Sequence, residues 1–357
     1  MIAMEVDESL HYMQLPREVI VGKNVLGRVG EVCSRLGFTG TALVVSGPIT
    51  YPLAGEPVAK SVTKAGLKVD HVIVKESTEQ VANHVVETIK KTKASLVLGV
   101  GGGKDIDLAK LSSAKSKVPF MSVPTAASHD GIASPYASIK GGSRPYSVRA
   151  QAPVAILTDI DVIADSPYNL LAAGCADIVA KFTAVKDWQL AHKLKNEYYG
   201  DYAANLAMMS AELVTKNAKE ILKRNVEGVR TVVEALISCG VAMSIAGSSR
   251  PCSGSEHLFS HALDIVAGET SLHGERTGVG AVLCAYLQGS NWESIRTFLK
   301  EIGAPSTAEE LNVSPQQVVK ALTMAHSLRP ERYTILGETG VAEAAAEKVA
   351  RTTGVIG

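Results

Sequence analysis

Three histidines in one short segment are the side chains of this chain best suited to do chemistry. His257, His261 and His273 all lie in the run SGSEHLFSHALDIVAGETSLHGER. Neutral imidazole is the commonest metal ligand in proteins, and residues four apart share one face of a helix. We expect Gly268 to end that helix, which lets His273 fold back onto the same face. Asp177 lies in the apolar stretch AAGCADIVAKF, where a carboxylate is unexpected unless it has a functional role.

This ligand set narrows the kind of metal site. One aspartate with two or three histidines is typical of a catalytic zinc or iron site that keeps one coordination position open. A metalloprotease HExxH motif is excluded, because Glu256 directly precedes His257. A single histidine on an apolar helix is more often a satisfied core residue, but three of the nine histidines share this segment. Cys252, which lies nearby, is interpreted as a small buried residue.

A glycine-rich turn follows a predicted buried strand in SLVLGVGGGKDIDLAK. Glycines let backbone N–H groups approach a pyrophosphate closely, and the helix N-terminus that follows favours anionic oxygens. The turn is not a P-loop, since Asp105 rather than serine or threonine follows Lys104, and it is not GxGxxG. A tight turn that binds nothing is the simpler alternative. We predict that Gly102, Gly103, Lys104 and Asp105 bind the phosphates of a dinucleotide cofactor.

A second loop, in VPFMSVPTAASHDGIASPYAS, follows another predicted strand. Thr125, Ser128 and Ser134 are able to bond a phosphate or a ribose, and Asp130 adds a carboxylate. Ligands of open α/β sheets bind beyond the carboxyl ends of the strands, so both loops are expected to face one crevice. The alternative is that Thr125 and Ser128 only cap turns.

The end of an early strand bears on cofactor choice. NAD-specific enzymes commonly place an acidic residue there, where it bonds the ribose and repels a 2′-phosphate. The strand Thr41–Ser46 ends instead in Ser46, Gly47 and Pro48. We therefore expect both NAD and NADP to serve as cofactors.

The surrounding pattern predicts an α/β fold. Short apolar strands alternate with helices through the first half, which indicates a doubly wound, mostly parallel, Rossmann-like sheet. The predicted strands are 15–22, Thr41–Ser46, 68–74 and 95–100, and the predicted helices are 24–37, 57–65 and 81–91. Later stretches such as 202–221 and Val226–Ala246 read as amphipathic helices. We predict a dinucleotide-binding domain over 1–165, an all-helical metal- and substrate-binding domain over 166–357, and an active site in the cleft between them.

Composition excludes several classes of protein. The 357 residues include 36 basic and 36 acidic side chains, so nothing indicates a nucleic-acid partner. We expect no apolar run to be long enough to span a membrane, and the acidic start MIAMEVDESLHYM has no hydrophobic signal core. Five scattered cysteines without CxxC fit reduced thiols. We expect a cytoplasmic protein.

Four motifs carry a resemblance to a known superfamily. GGGKDIDLAK, PTAASHDGIASP, AGCADIVAKF and EHLFSHALD followed by HGE together resemble the iron-containing alcohol dehydrogenase, glycerol dehydrogenase and dehydroquinate synthase superfamily. LPREVIVGKNVL and SSRPCSGSEHLFSHALD look like the archaeal sn-glycerol-1-phosphate dehydrogenases in particular. The resemblance spans nearly the whole chain, and its motifs fall in the family's order.

The resemblance implies roles for individual residues. Asp177, His257 and His273 resemble the metal ligands, and Asp177 also lies at the substrate. His261 resembles the substrate-contacting histidine, and Asp130 resembles the aspartate of the substrate loop. The positions that match cofactor contacts are Gly103, Lys104, Asp107, Thr125, Ser128 and Ser134. The iron enzymes place a further histidine one helical turn after the aspartate, where this chain has Lys181, and this departure favours zinc.

The resemblance also implies a reaction, the NAD(P)H-dependent reduction of dihydroxyacetone phosphate to sn-glycerol 1-phosphate for archaeal ether lipids, by a homo-oligomer. A metal would polarise the carbonyl, and the proton would come from His261 or from water through Asp130. Glycerol dehydrogenase activity on unphosphorylated polyols is the enzymatic alternative. A dinucleotide-binding protein with a structural metal site is the alternative outside enzymes. No phosphate-binding residue is identified, and Lys140, Arg144 and Arg250 are interpreted as ordinary surface charges.

Overall fold

The structure, a computed structural model, describes residues 11–139, 146–268 and 270–357. Lys140 and Arg144 lie outside the described residues. The strands are β1 (Glu18–Gly22), β2 (Thr41–Ser46), β3 (Lys68–Ile73), β4 (Ala94–Gly101), β5 (Phe120–Pro124), β6 (Tyr136–Ile139), β7 (Tyr146–Arg149) and β8 (Ala155–Asp159). Six of them form one parallel sheet in the order β1-β8-β5-β4-β2-β3, and β6 pairs antiparallel with β7.

Helices cover both faces of the parallel sheet. They are α1 (Val29–Arg35), α2 (Glu56–Lys64), α3 (Glu79–Thr92), α4 (Gly103–Ser116) and α5 (Ile160–Asp165). Successive side chains of a strand point to opposite faces. Val44 of β2 therefore packs in one apolar core with residues of α1 and α2, whereas Leu43 and Val45 pack in another with residues of α3 and α4. A parallel sheet between two helical layers is the doubly wound arrangement, which confirms the predicted fold class.

The rest of the chain is helical, and no strand follows β8 in the part that the structure describes. The helices are α6 (Tyr168–Val179), α7 (Lys181–Lys195), α8 (Asp201–Lys216), α9 (Ala218–Leu222), α10 (Val226–Ala246), α11 (Ser255–Ala267), α12 (His273–Leu287), α13 (Trp292–Glu301), α14 (Pro315–Met324) and α15 (Glu343–Thr352). Most of their apolar faces share one large core, which includes Ile178, Val232 and Leu283, and a smaller core around Trp188 joins α7, α8 and α10.

Helix α10 corrects one expectation about membranes. Its 21 residues are long and apolar enough to cross a bilayer by length and composition alone, although no apolar run was expected to be. Within its most apolar window 67% is buried inside the protein, because the helix packs against α8, α9 and α6. A core helix passes the same test, so the finding is weak support for a membrane span.

Most predicted elements agree with the structure, and the differences have local causes. The predicted strand 15–22 starts three residues later, at Glu18. The predicted helix 202–221 is broken at Asn217, whose side chain donates to the Leu213 carbonyl and so caps α8. The pair β6 and β7 and the strand β8 were not predicted, because short segments carry little periodicity.

The sheet brings the two predicted ligand loops to one edge. β4 and β5 are neighbours, and Gly101 lies opposite Pro124 at their carboxyl ends. The Thr125 amide donates to the Gly101 carbonyl at 2.9 Å, which keeps the two chains together beyond the strands. The glycine turn and the loop after β5 therefore leave the sheet side by side, as the sequence predicted.

Candidate active site

A cavity of about 680 Å³ opens at this edge of the sheet. One side is formed by the turn before α4 and the loop after β5, including Gly102, Lys104 and Ser128. The other side is formed by α11 and the start of α12, including His257 and His273. The sequence-predicted residues that line the cavity are Gly102, Gly103, Lys104, Asp107, Ser128, Asp130, Ser134, His257, His261 and His273. The structure thus places most of both predicted sites in one cleft.

At the glycine turn, backbone atoms rather than side chains line the cavity. Gly102 is the N-cap of α4, and a Cβ built on it would lie in open space with no atom within 4 Å. Gly103 is different, because its Cβ would lie 1.9 Å from Nε2 of His129. The open side of Gly102 thus faces the cleft beside the positive end of α4, which suits an anionic ligand.

Asp177, His257 and His273 come together although the aspartate is distant in sequence. One ligand atom from each lies within 4.8 Å of the others, and Nε2 of His257 is 3.5 Å from Oδ1 of Asp177. α6 supplies the aspartate, α11 the first histidine and the first residue of α12 the second. Asp177 and His257 are buried, and His273 is half-buried.

Glu256 holds the other side of His257. Its Oε1 lies 2.8 Å from Nδ1 of His257 and also accepts the Gly254 amide, and its Oε2 accepts the Thr183 hydroxyl. Burial alone would lower the pKa of His257, but hydrogen bonds to Asp177 and Glu256 outweigh it and raise that pKa. The bond from Nδ1 orients the ring so that Nε2 faces Asp177.

Lys181 joins the predicted metal ligand to the predicted substrate loop. Its Nζ lies 2.9 Å from Oδ1 of Asp177 and 2.8 Å from Oδ2 of Asp130, and its side chain is fully buried. The Asp130 amide donates to Oδ2 of Asp177 at 3.0 Å. Burial alone would raise the pKa of Asp177, but the neighbouring Lys181 and His257 hold it well below its ordinary value.

The two remaining histidines of the cluster are neutral. Burial, with the nearby positive charges of His257 and Arg329, lowers the pKa of His261 to about 3. Burial and His257 also lower the pKa of His273 well below its ordinary value. In the free protein His261 can donate an N–H hydrogen bond, but it does not store a proton as an imidazolium near neutral pH.

Some predicted cofactor residues are engaged elsewhere. Asp107 lines the cavity, but its carboxylate accepts from the buried Lys110 ammonium and from the Ser138 amide. Asp105 and Thr125 are buried and lie outside the cavity lining. Asp105 lies instead against the carboxyl end of β4, where a Cβ on Gly101 would be 2.0 Å from its Oδ2, and it accepts from the Thr50 hydroxyl.

The end of β2 also differs from its sequence interpretation. Ser46 is buried and donates to the Val100 carbonyl at 2.6 Å, so its hydroxyl is not free for a cofactor. A Cβ on Gly47 would lie 3.2 Å from Oδ2 of Asp105. A carboxylate therefore lies beside the end of β2 after all, and it comes from α4 rather than from the strand itself.

One end of the cavity is cationic. Arg329 lines it, and its Nη2 donates to the Ser147 carbonyl. Arg332, one turn later, donates to the Ser253 carbonyl and to the hydroxyl of Ser249, and both serines line the cavity. Among the described residues no carboxylate lies within ion-pair distance of either arginine.

Arg250 completes this cationic group and corrects an expectation. It was interpreted as a surface charge, but it is buried, pairs with Glu197 and donates to the Tyr333 carbonyl. Burial, with the positive charges of Arg329 and Arg250, lowers the pKa of Arg332 to about 10. Of these three guanidinium groups, the one on Arg250 is paired with a carboxylate among the described residues, and the unpaired Arg329 lies at the cavity wall.

Sequence reasoning missed several residues of the cleft. They are His129, Glu256, Arg329, Arg332, Ser249 and Ser253. His129 was adjacent to Asp130 and Glu256 to His257, so nearness to a predicted site residue was an available signal. The two arginines lie more than 50 residues beyond His273, in a segment without a motif, and only the folded chain brings them to the cleft.

Comparisons with known proteins agree with this fold. The sequence profile of the family described as iron-containing alcohol dehydrogenase matches residues 20–167. A glycerol dehydrogenase from Schizosaccharomyces pombe superimposes with a TM-score of 0.81 and 18% identity, covering 96% of this chain and 90% of that one. A probable glycerol dehydrogenase from Sinorhizobium meliloti gives a TM-score of 0.79 at 18% identity over 96% and 98%. The fold is therefore that of the iron-containing alcohol dehydrogenase class.

Closer relatives define the family within that class. Glycerol-1-phosphate dehydrogenase [NAD(P)+] from Thermococcus kodakarensis is 52% identical over 98% of this chain and 100% of its own length. The protein of the same name from Methanosarcina mazei is 51% identical over 98% of both chains. This chain belongs to the glycerol-1-phosphate dehydrogenase family, which confirms the resemblance seen in its motifs.

Proposed function

We propose that this protein is an oxidoreductase that reduces dihydroxyacetone phosphate to sn-glycerol 1-phosphate with NADH or NADPH. Relatives that share half of its residues are named glycerol-1-phosphate dehydrogenase [NAD(P)+]. In this role it would supply the glycerol phosphate backbone of archaeal ether lipids. The main observation in favour of a phosphorylated substrate is the pair of arginines, Arg329 and Arg332, at the cationic end of the cleft.

The cationic end gives a physical reason to prefer a phosphate ester over a neutral polyol. Among the described residues neither Arg329 nor Arg332 has a carboxylate partner, and with the Ser249 hydroxyl beside Arg332 they match the charge and hydrogen-bonding needs of a phosphate. A neutral triol would leave these charges uncompensated in a partly buried place. Burial and the repulsion from Arg329 and Arg250 lower the pKa of Arg332, and a bound dianion would offset that repulsion.

The cleft then has room for both reactants in a defined order. The cofactor pyrophosphate would lie at Gly102 and Gly103, at the positive end of α4. The substrate phosphate would lie at the opposite end, near Arg329. Gly103 packs against His129, whose ring centroid lies 6.2 Å from that of His273, and Arg329 lies near His261 in the same cavity. We therefore place the substrate carbonyl and the nicotinamide together at the histidine cluster.

The residues present fit a divalent metal. Asp177 and the neutral His273 offer one donor each, and Glu256 holds His257 with Nε2 free to coordinate. One carboxylate and two imidazoles are a donor set that zinc accepts, and we propose zinc as the metal. When bound, such an ion supplies Lewis-acid polarisation of the substrate carbonyl and stabilises the alkoxide that hydride transfer produces.

The protein must also deliver a proton. His261 is neutral in the free protein, so we propose that its N–H donates a hydrogen bond to the substrate rather than a proton. Asp130 lines the cleft, and its Oδ2 lies 2.8 Å from the Lys181 ammonium. We therefore favour water, ordered by Asp130, as the proton source.

An NADH-oxidation assay with dihydroxyacetone phosphate against dihydroxyacetone, with and without a chelator, tests the function. We expect kcat/KM to be about 100-fold higher for the phosphate ester, since two charge-assisted contacts contribute about 3 kcal/mol together. We expect the chelator to abolish turnover. Equal use of both substrates would favour the glycerol dehydrogenase alternative. A folded, cofactor-binding protein without turnover would favour a structural metal site.

A variant separates the phosphate contact from the chemistry. Replacing Arg329 with Met should raise KM for dihydroxyacetone phosphate about tenfold or more and leave the weak turnover of dihydroxyacetone unchanged. Arg28→Met is the matched control, because Arg28 is exposed, pairs only with Glu31 and lies outside the cleft. An unchanged KM in the Arg329 variant would remove this residue from the phosphate site.

Three broader assignments belong to the same proposal. The chain would divide into a dinucleotide-binding domain at 1–165 and a helical metal- and substrate-binding domain at 166–357, with the boundary between α5 and α6. The protein would act in the cytoplasm, which suits five free, buried cysteines. It would assemble as a homo-oligomer.

A further inference from the structure

The burial of the charged Lys181 side chain beside the cleft needs an explanation. Its ammonium is fully buried, and the two carboxylates at Asp130 and Asp177 are its ion-pair partners among the described residues. A buried charge costs several kcal/mol unless close partners compensate it. An apolar side chain would fill the same space with a smaller free-energy cost. We therefore look for a role of the positive charge in the site.

The contacts of Lys181 connect three elements of the two halves of the chain. Asp130 lies in the loop after β5, Asp177 lies near the end of α6, and Lys181 is the first residue of α7. Lys181 donates to one oxygen of Asp177 while the Asp130 amide donates to the other. The same oxygen that accepts from Lys181 lies 3.5 Å from Nε2 of His257. The ammonium therefore bonds to the oxygen that faces the metal ligands.

The charges of these groups set the electrostatics of the site. Asp130, Asp177 and the Glu256 carboxylate on His257 place three negative charges around a divalent cation. Lys181 adds one positive charge, so the loaded site is one unit more positive than the carboxylates alone would leave it, which favours an alkoxide. An ammonium on a ligand carboxylate also repels a cation bound to that carboxylate. We therefore expect Lys181 to lower the metal affinity of the site and to raise the rate of the catalysed reaction.

We propose that Lys181 is a positioning residue that weakens Zn2+ binding while it strengthens the electrophilic site and holds Asp130 toward the substrate. This inference rests on the proposed function for its catalytic part and on the metal site alone for its affinity part. A lysine that only filled space or stabilised the fold would not weaken metal binding, so the sign of the affinity change separates the two roles.

Lys181→Met tests the proposal, because Met keeps the length of the side chain and removes the charge. Zn2+ affinity is measured by competition with a chromophoric chelator, without substrate or cofactor. We expect Zn2+ to bind about tenfold more tightly. At full Zn2+ occupancy we expect kcat for dihydroxyacetone phosphate to fall about tenfold or more, with KM for NADH unchanged. Unchanged or weaker Zn2+ binding in the folded variant would overturn the proposal.

A second variant has the opposite expected sign and keeps the test decisive if Lys181→Met does not fold. Asp130→Asn removes one negative charge beside Lys181 and keeps the backbone amide that donates to Asp177. We expect Zn2+ to bind about tenfold more weakly in this variant. Unchanged or tighter binding would overturn the proposal.

Lys110→Met is the matched control. Lys110 is also fully buried and is paired with Asp107, but it does not contact the metal ligands. We expect this variant to lose stability and to keep the Zn2+ affinity of the wild type. If the protein proves inactive on dihydroxyacetone phosphate, the proposed function fails, whereas the opposite affinity changes at Lys181 and Asp130 still decide this inference.

Discussion

Carboxylates surround the imidazole of His257 on both of its nitrogen atoms. Asp177 lies beside Nε2 and Glu256 accepts from Nδ1, so the ring has one orientation and one tautomer that suits metal binding. Glu256 is itself held by the Gly254 amide and the Thr183 hydroxyl. The contacts of Glu256 and His257 are therefore expected to determine metal affinity, which leads to two predictions.

Glu256→Gln is expected to weaken metal binding about 10-fold to 100-fold, because the amide cannot accept the Nδ1 proton with the strength of a carboxylate. Competition with a chelator on purified protein measures the change. Glu275→Gln is the control, since Glu275 lies two residues after His273 but bonds only the Leu272 amide. Equal affinities for the two variants would show that Glu256 does not support the ligand.

Metal affinity is also expected to depend on pH through one proton. The pKa of His257 is raised by Asp177 and Glu256 against the effect of burial, whereas burial lowers the pKa of His273 well below its ordinary value. Only neutral imidazole binds a metal, so as pH falls through the pKa of His257 the affinity decreases about tenfold per pH unit. Chelator competition between pH 5 and pH 8 measures the slope. A slope of two protons would contradict a neutral His273.

The strand–turn–helix unit formed by β4, the glycine turn and α4 is the element that presents backbone to the cofactor. Gly101 has φ +155° and its Cβ would lie 2.0 Å from Asp105, so this position cannot carry a side chain. Gly102, by contrast, has an ordinary extended conformation and open space where a Cβ would be. The element therefore contains one glycine that the fold requires and one that only a ligand requires.

Gly102→Val is expected to raise KM for NADH about tenfold or more while the thermal unfolding temperature stays near that of the wild type. The valine would meet no protein atom, but it would occupy space that a pyrophosphate must approach. Gly27→Val is the control, because Gly27 also has nothing within 4 Å of its Cβ position and lies away from the cleft. An unchanged KM in the folded Gly102 variant would argue against cofactor binding at this turn.

The whole molecule brings the helical half of the chain against the loop after β5. A Cβ on Gly174 of α6 would lie 2.0 Å from the Ala127 carbonyl oxygen, so the helix contacts the loop through bare backbone. The same loop carries Ser128 and Asp130 into the cleft. The close approach at Gly174 therefore holds α6, which carries Asp177, against the loop that carries Ser128 and Asp130.

Gly174→Ala is expected to lower the free energy of unfolding by about 1–3 kcal/mol, because the added methyl overlaps a backbone atom and forces α6 and the loop apart. We also expect metal affinity to fall, since the shift moves Asp177, which lies three residues later on the same helix. Chemical denaturation and chelator competition measure the two effects. Gly27→Ala is the control and should change neither the free energy of unfolding nor the metal affinity. A Gly174 variant as stable as the wild type would show that α6 and the loop accommodate the methyl group without loss of stability.

Much of the fold could be predicted because its signals are local. The apolar run of β2 and the long amphipathic stretch of α10 carry their own periodicity, and both have the predicted bounds. The strand order could not be predicted, because β8 pairs with β1 and β5 and so lies between strands more than 30 residues earlier in the chain. Pairing between distant strands leaves no mark on a single sequence.

The same division holds for the site. The donor types could be predicted from the sequence, since His257, His261, His273 and the glycine turn are recognisable from spacing within short segments. The charges that surround them depend on how the chain folds. It brings Lys181 between Asp130 and Asp177, and it brings Arg329 and Arg332 to a cleft built from helices far away in sequence. The reason is physical: a side chain's chemical type is fixed by its own residue, whereas its partners, burial and pKa depend on chain segments that meet only when the protein folds.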